Sequence, residues 1–395
     1  LVGVRIPAGP LTFTNFHIVQ LLAIVLCVGC AFLISRVREG SEKPFGFVIK
    51  QIANPEIVRT FQNLDSLGRS LSAISSTEIL RNFDSRSGEL PLRDIIERLD
   101  DPDTAVQEEA ARALGRIPSS QSVDALILRL LDPESDIRLQ AARSLGKIGD
   151  RKAVGALVGC LRESDGELQK ACLEALADIG DEESIKQVMA FLRESQSDRM
   201  RQIGSAAAAR LGVFEAAWEI FPNLFRAKTK TARKQYAIAM ANLLGWPDGF
   251  YQYVTGSDAT IQGRQKKIIA RFSQNMREVY ARQRKKGKLK TDVIEAIRAA
   301  LEEDRNVDAL RETIAFSERL FKDIFGEGVG RDMLWRVDQK LGVFYWMMEQ
   351  SREYLEHATT GNAAESASES TKEGQSVAET ARLVTLISVY FLSAF

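Results

Sequence analysis

The first residues of this chain whose types and spacing could do chemistry are two cysteines. Cys27 and Cys30 form a Cys-x-x-Cys pair, the spacing of a redox dithiol or of half a zinc site. A reactive dithiol needs an exposed thiolate, and a structural zinc ion needs four ligands. The pair lies in an uncharged, apolar run, and no second Cys-x-x-Cys pair accompanies it. We therefore interpret Cys27, Gly29 and Cys30 as small residues that let neighbouring helices approach closely.

The other chemically versatile residues are few and widely separated. Cys160 and Cys172 lie in apolar helical patterns, and the 4 cysteines of this 395-residue chain form no disulfide framework. That usage favours a reducing compartment for most of the chain. The 2 histidines, His17 and His357, lie in distant segments, which argues against a histidine-based metal or acid–base site. The sequence accordingly predicts no catalytic, cofactor-binding or metal-binding residue, and no enzymatic activity.

An uncharged run near the N-terminus has the length of a membrane span. Residues 6–35 contain no Asp, Glu, Lys or Arg. A helix over 12–36 would cross a hydrocarbon layer of about 30 Å at about 1.5 Å per residue. Arg36 and Arg38 follow the run, and this basic flank predicts that the C-terminal side is cytoplasmic. The sequence thus predicts a transmembrane helix in the inner or cell membrane, with an extracytoplasmic stub at 1–11. A signal peptide and a buried core helix remain alternatives.

Residues 86–215 repeat themselves with a period of 31. The segment LDDPDTAVQEEAARALGRI at 99–117 is followed by LLDPESDIRLQAARSLGKI at 130–148 and LRESDGELQKACLEALADI at 161–179. Apolar residues recur three and four apart, which is typical of two short amphipathic helices per unit. Such a pair cannot bury its own apolar face, so neighbouring units must stack into a solenoid. The stacked apolar columns include Ile95, Leu126, Leu157 and Val188, and also Leu114, Leu145 and Leu176.

Polar and small residues at fixed places in the repeat predict its helix ends. Asp101-Pro102 and Asp132-Pro133 each predict the start of a second helix, because the carboxylate caps free amides and Pro suits the first turn. Gly115 and Gly146 fall near the ends of those helices and are expected to ease the turn to the next unit. The repeat therefore predicts a fold built from helical hairpins.

Basic residues recur in register on the predicted second helices and could line a concave face. They are Arg112, Arg116, Arg138, Arg143 and Lys147. One interpretation is a groove that binds an acidic partner. The other is ordinary solvated helix surface. The predicted partner on this surface is a protein of unknown identity.

The formal net charge of zero conceals strong charge segregation. Residues 84–199 carry 16 basic and 24 acidic side chains, residues 226–290 carry 16 and 3, and residues 291–380 carry 10 and 19. The basic block could contact anionic membrane lipids or pair with the acidic segments. Nucleic acid is not favoured, because aromatic residues are sparse in the block. The candidate membrane contacts are Arg282, Arg284, Lys285 and Lys286.

The remaining segments are predicted from composition. A juxtamembrane linker is expected at 37–85, a degenerate repeat at 216–255, a basic and then acidic helical region at 256–355, a disordered polar linker at 356–380 and an apolar tail at 381–395. The stretch 333–355 reads as one helix whose aromatic and Met residues form core. The apolar tail is short for a membrane span, so it is interpreted as an interfacial helix or as part of a longer segment.

Two family resemblances follow from these residues. The 31-residue units resemble HEAT-like repeats, which are also seen in phycobilin lyases. The order of uncharged span, Arg36 and Arg38, loop and repeats resembles permeases of the major facilitator superfamily that carry a cytoplasmic HEAT-repeat extension. This resemblance covers residues 8–256, including AIAMANLLGWPDGFYQYVTG at 237–256.

These resemblances imply a fold class and a function. The predicted class is all-α, with an N-terminal transmembrane helix, a HEAT-like helical-hairpin solenoid and a further helical region. The implied function is the C-terminal part of a membrane transporter, whose solenoid acts as a regulatory or protein-docking module. A stand-alone membrane-anchored HEAT-repeat scaffold is the alternative, and a bilin-lyase-like enzyme is less favoured.

Overall fold

The structure is a computed structural model in two compact units, residues 1–91 and 92–395. It describes residues 6–8, 11–13, 55–70, 72–163, 165–245, 249–282, 291–361 and 372–394.

The described residues of the first unit form a short hairpin and two helices. Strands β1 (Ile6–Ala8) and β2 (Leu11–Phe13) are antiparallel, with Ile6 opposite Phe13. Helices α1 (Pro55–Arg69) and α2 (Ala73–Arg81) pack on each other. The Ser72 side chain caps α2 by accepting a hydrogen bond from the Ser75 amide.

The predicted transmembrane helix at 12–36 does not begin where expected. Thr12 and Phe13 belong to strand β2, and residues 14–36, with Cys27 and Cys30, lie outside the described residues. None of the helices in the described part of the chain combines the length and apolar character that crossing a membrane requires. The predictions of a membrane anchor and of a location in the cell membrane are therefore wrong. The predicted membrane partner has no support from the described residues.

The second unit opens with four helical hairpins, which confirms the predicted helical repeats. Each hairpin pairs a first helix with a second: α3 with α4, α5 with α6, α7 with α8 and α9 with α10. Their bounds are α3 Leu92–Glu97, α4 Thr104–Arg116, α5 Ser120–Leu131, α6 Arg138–Ile148, α7 Val154–Cys160, α8 Gly166–Ile179, α9 Glu182–Glu194 and α10 Asp198–Arg210.

The second helices stack directly on one another. Helix α4 packs on α6, α6 on α8 and α8 on α10. Leu114, Leu145 and Leu176 are each 0% exposed, as their common column in the repeat predicts. The helix starts differ from the prediction: Asp103, rather than Asp101, caps α4 by accepting from the Ala105 amide at 2.8 Å. Helix α6 begins at Arg138, after the Asp-Pro pair has formed a turn.

Gly115 and Gly146 allow the second helices to approach closely, which differs from the predicted role in turns. A Cβ atom on Gly146 would lie 2.7 Å from the Ala175 Cα atom, and one on Gly115 would lie 2.9 Å from the Ser144 Cβ atom. The turn after α6 is made by Gly149, whose φ of 74° lies in the left-handed region. The missing side chains therefore set the spacing between units.

Gly146→Ala is expected to lower the free energy of unfolding by about 1–3 kcal/mol, because the added methyl group forces α6 and α8 apart. Gly155→Ala in α7 is the matched control, since a Cβ there meets nothing within 4 Å. The control should be neutral or slightly stabilising. The measurement is the urea midpoint followed by circular dichroism. Equal midpoints for the two variants would show that the backbones of α6 and α8 are not in contact.

Helices α11 to α19 complete the second unit. Helix α12 packs on α10 and so extends the stack of second helices, while α11 pairs with α12 as its first helix. The bounds are α11 Ala217–Arg226, α12 Lys230–Leu243, α13 Tyr251–Val254, α14 Asp258–Arg282, α15 Thr291–Glu302, α16 Asn306–Phe325, α17 Arg331–Val337, α18 Gln339–Gly361 and α19 Lys372–Leu392.

The apolar C-terminal segment is a helix in the core of this region. Helix α19 begins at Lys372, earlier than the predicted tail, and packs against α12, α14, α16 and α18. Every residue from Thr380 to Ser393 except Arg382 is buried. Its apolar side chains thus contact protein, where the sequence interpretation placed them at a membrane surface or in a longer segment.

Candidate protein-binding face

The outward residues of the stacked second helices form one continuous surface, which we call the second-helix face. Residues four apart on a helix share a face, as Arg143 and Lys147 do on α6. The face comprises Arg112, Arg116, Arg143, Lys147, Lys170, Glu174, Asp178, Arg199, Gln202, Ala206 and Arg210. It contains four of the five basic residues that the sequence singled out.

Arg112 and Arg116 are engaged in a network around a buried acid. The Glu109 side chain is only 4% exposed, and its two oxygens accept from Arg112 Nη1 at 3.1 Å and from Arg116 Nη2 at 3.2 Å. Arg112 Nε also donates to Gln140 Oε1 on α6 at 3.1 Å. Both guanidinium groups compensate a buried carboxylate, whose charge would be costly if left unpaired. Both arginines are therefore engaged within α4, and Arg112 also links α4 to α6.

Arg138 lies away from the second-helix face. Its Nη1 and Nη2 atoms donate to the two oxygens of Glu163 at 2.8 and 2.6 Å, and its Nε atom donates to the Leu130 carbonyl at 2.9 Å. The hydrogen bonds from Arg138 hold the pKa of the Glu163 carboxyl below its ordinary value. Arg138 Nη2 also lies 3.8 Å from the Sγ atom of Cys160, a buried free cysteine. The arginine thus links two neighbouring units.

Arg143 and Lys147 are exposed, and neither forms an ion pair with a described residue. Lys170, half-buried on the adjacent helix α8, likewise has no ion-pair partner among the described residues. Glu174 is the acid nearest in the repeat register to Arg143, and no ion pair joins the two. Three cations on neighbouring helices are therefore not neutralised by direct contacts.

A groove of about 460 Å³ continues this surface across α8, α10 and α12. Its lining includes the half-buried Ile203 and the exposed Ala206, together with Lys170 and Glu174. Two of its lining arginines form ion pairs that join α10 to α8: Arg199 with Glu167, and Arg210 with Asp178. The face therefore offers apolar and charged side chains side by side.

Other candidate chemistry is limited in the described residues. No group of three or more His, Cys, Asp or Glu side chains among them could hold a metal ion. The predicted membrane contacts fall at the end of α14: Arg282 is its last residue, and Arg284, Lys285 and Lys286 lie outside the described residues. That contact stays a prediction from sequence. The register of the repeat predicted four basic residues of the second-helix face. It did not predict the Glu109 network, because the equivalent positions in the next two units carry no acid.

Several solved structures resemble the chain. An engineered protein from a structural genomics consortium is 21% identical, covers 47% of this chain and 96% of its own, and has a TM-score of 0.33. The complex of CpcE and CpcF of phycocyanin lyase from Nostoc sp. PCC7120 is 20% identical, covers 66% and 94%, and has a TM-score of 0.34. A second engineered protein is 16% identical, covers 82% and 98%, and has a TM-score of 0.33. At these TM-scores the similarities carry no information about function.

No curated protein matches the chain in sequence. The resemblance to a major facilitator permease is wrong, because the matching family is HEAT repeats and the described residues contain no membrane-spanning helix. The predicted function as the C-terminal part of a transporter is wrong for the same reasons, as is the membrane-anchored scaffold.

The repeats themselves match a known family. The family model for HEAT repeats matches residues 91–168 and, in a second alignment, residues 123–209. These ranges cover the hairpins from α3 to α10, where the 31-residue period was found. The chain contains HEAT-like repeats stacked as a helical solenoid.

Proposed function

We propose that the HEAT-like region is a docking module that binds an acidic segment of a partner protein along the second-helix face. The observation that carries the proposal is the group of Arg143, Lys147 and Lys170, three cations on adjacent stacked helices that form no ion pair with a described residue. This group lies within residues 84–199, where acidic side chains outnumber basic ones by 24 to 16. A cationic patch in an acidic region gives the face a local electrostatic potential opposite in sign to that of its surroundings.

The form of the surface supports a protein segment as the ligand. Stacked units present side chains at a regular spacing, which suits an extended chain that contacts several repeats. Carboxylates of such a chain could pair with Arg143 and Lys147, while its apolar side chains contact Ile203 and Ala206 in the groove. Arg112 and Arg116 contribute less, because Glu109 already occupies them.

Reversing two charges should remove this binding. In the full chain, Arg143→Glu combined with Lys147→Glu is expected to weaken binding of a labelled peptide of alternating glutamate and alanine by at least about tenfold. The physical reason is that two attractive contacts become repulsive. The measurement is fluorescence anisotropy at low and at physiological salt, and the affinity for the unaltered chain should fall as salt rises.

Two comparisons make this result specific. Arg93→Glu with Lys186→Glu changes the net charge equally, but these residues lie on the first helices α3 and α9, so binding should be retained. The same peptide with glutamine in place of glutamate should bind poorly. If both double variants weaken binding equally, the peptide responds to total charge, and the second-helix face is ordinary solvated surface.

A further inference from the structure

A row of aromatic rings crosses the C-terminal region of the second unit. It consists of half-buried rings, and we call it the aromatic row: Trp335, Trp218, Trp346, Phe225 and Tyr354. The Trp218 ring centroid lies 5.7 Å from that of Trp335 and 4.3 Å from that of Trp346, and the Phe225 centroid lies 4.1 Å from that of Tyr354. The buried ring of Phe221 joins the two halves, at 5.7 Å from Trp346 and 5.0 Å from Phe225.

Three helices position the row. Helix α11 supplies Trp218 and Phe225, α17 supplies Trp335, and α18 supplies Trp346 and Tyr354. The contact between α17 and α18 is close, because a Cβ atom on Gly342 would lie 2.8 Å from the Trp335 Cα atom. Rings in such contact support each other, so the partly exposed surface is rigid and preorganised.

The exposed side of Trp218 already carries a cation. The guanidinium carbon of Arg331 lies 6.0 Å from the centroid of the Trp218 ring. Arg331 itself is exposed, with 48% of its side chain accessible, and its ion-pair partner is the exposed Asp332 at 3.3 Å. An exposed contact of this kind is worth only about 0.5–1 kcal/mol. Arg331 is therefore held only weakly on the Trp218 ring. Its position shows that this ring can bind a guanidinium group.

Acidic side chains lie close to Arg331, the cation on the Trp218 ring. Asp332 is exposed on α17, and Glu349 and Glu353 follow Trp346 on α18. Glu349 is half-buried and forms no hydrogen bond or ion pair with a described residue. Its burial raises the pKa of the Glu349 carboxyl above the ordinary value, and the nearby charge of Arg331 acts against that rise. A second cation at this place would be stabilised by both the ring and the carboxylate.

We propose that the aromatic row is a second docking surface, which binds an arginine-containing segment of a protein partner. A guanidinium group of the partner stacks on Trp218 in place of Arg331 and pairs with Glu349. A planar guanidinium suits this site better than an ammonium group, because it can stack on a ring and form two parallel hydrogen bonds to a carboxylate. Nucleic acid, which also stacks on rings, is disfavoured because Asp332, Glu349 and Glu353 repel phosphate.

The test uses the full chain and a labelled peptide in which arginine alternates with glycine. Fluorescence anisotropy should show that this peptide binds more tightly than the same peptide with lysine, and much more tightly than the one with glutamine. Trp218→Leu and Glu349→Gln should each weaken binding of the arginine peptide by about three- to tenfold. Tyr251→Ala is the matched control, since Tyr251 is an aromatic residue 54% exposed elsewhere, and binding should be unchanged.

Arg331→Gln gives the most informative result. Removal of the resident cation should strengthen binding of the arginine peptide by about two- to fivefold, because the ring becomes available and the positive charge of Arg331 no longer repels a second cation beside Glu349. A loss of binding in this variant would overturn the proposal, since it would mean that the site recruits an anion. Tighter binding of a single-stranded oligonucleotide than of the peptide would overturn it as well. Unchanged binding in both Trp218→Leu and Glu349→Gln would place the peptide on another acidic surface.

Discussion

Val384→Asp is expected to lower the free energy of unfolding by at least about 4 kcal/mol and to unfold the C-terminal helices. Val384 is 0% exposed on α19, so the new carboxylate would be buried in the protein core, where losing its hydration is costly. A domain is stable by only about 5–15 kcal/mol in total, so this loss is a large share of its stability. The urea midpoint followed by circular dichroism is the measurement.

The control for this variant carries the same charge on the same helix. Gln375 is exposed near the start of α19, and Gln375→Asp should leave the midpoint within about 0.5 kcal/mol of the unaltered chain. An acidic residue near a helix N-terminus is also electrostatically favourable. If Val384→Asp matched this control, α19 would not be packed in the protein core.

Leu145→Ala is the second variant with a large expected effect. It should lower the free energy of unfolding by about 2–5 kcal/mol. Leu145 is 0% exposed in α6, with the equivalent leucines Leu114 and Leu176 in the helices on either side. Truncation removes apolar burial and leaves a cavity that the stacked helices cannot close without losing other contacts. The urea midpoint of the full chain should fall clearly.

The matched control is an exposed leucine in the preceding helix. Leu128 on α5 is 71% exposed, so Leu128→Ala should change stability by no more than about 0.5 kcal/mol. Comparable losses for the two variants would mean that the register of the repeat does not distinguish core from surface. An unchanged midpoint for Leu145→Ala would contradict the stacking of α6 between α4 and α8.

The repeat region was largely predictable because burial there is periodic. Each unit buries the same repeat positions, so the 31-residue period alone predicts that Leu114, Leu145 and Leu176 are core residues. The helix starts were less predictable, since two Asp residues compete to cap α4 within three positions. Asp101 accepts from the Asp103 amide, and Asp103 then caps the helix. Such local competition leaves no periodic signal.

The register of the repeat predicted where basic side chains lie, but it did not predict which acids they pair with. Arg112 and Arg143 are 31 positions apart and equivalent, yet only Arg112 pairs with a buried acid, because Glu109 is replaced one unit later by Gln140. The spacing of Glu109 to Arg112 and Arg116, three and seven residues, could have revealed the network. Arg112 also pairs with Glu108 at 2.7 Å, and the equivalent position one unit later is Leu139. Two differences between units thus decide whether this surface cation is paired.

The C-terminal region was harder to predict, because an apolar run has the same composition whether lipid or protein surrounds it. Helix α19 is apolar because it packs against α12, α14, α16 and α18. Such tertiary packing cannot be read from the sequence of the helix itself. The stretch 333–355, predicted as one helix, divides at Asp338, whose backbone is extended with ψ 125°. The aromatic row combines rings from three helices, so no single stretch of sequence displays it.

The central position of α19 has a consequence for the order in which the molecule is made. Arg382 on α19 donates to Gln265 on α14 at 3.0 Å, although 117 residues separate them in the chain. The repeat hairpins contact mainly their neighbours in sequence, so they can fold as they leave the ribosome. Helices α14, α16 and α18 emerge before the helix that covers their apolar faces has been synthesised. During that interval these faces are open to chaperones and to other nascent chains, and the C-terminal half acquires its native packing only after residues 372–392 have emerged.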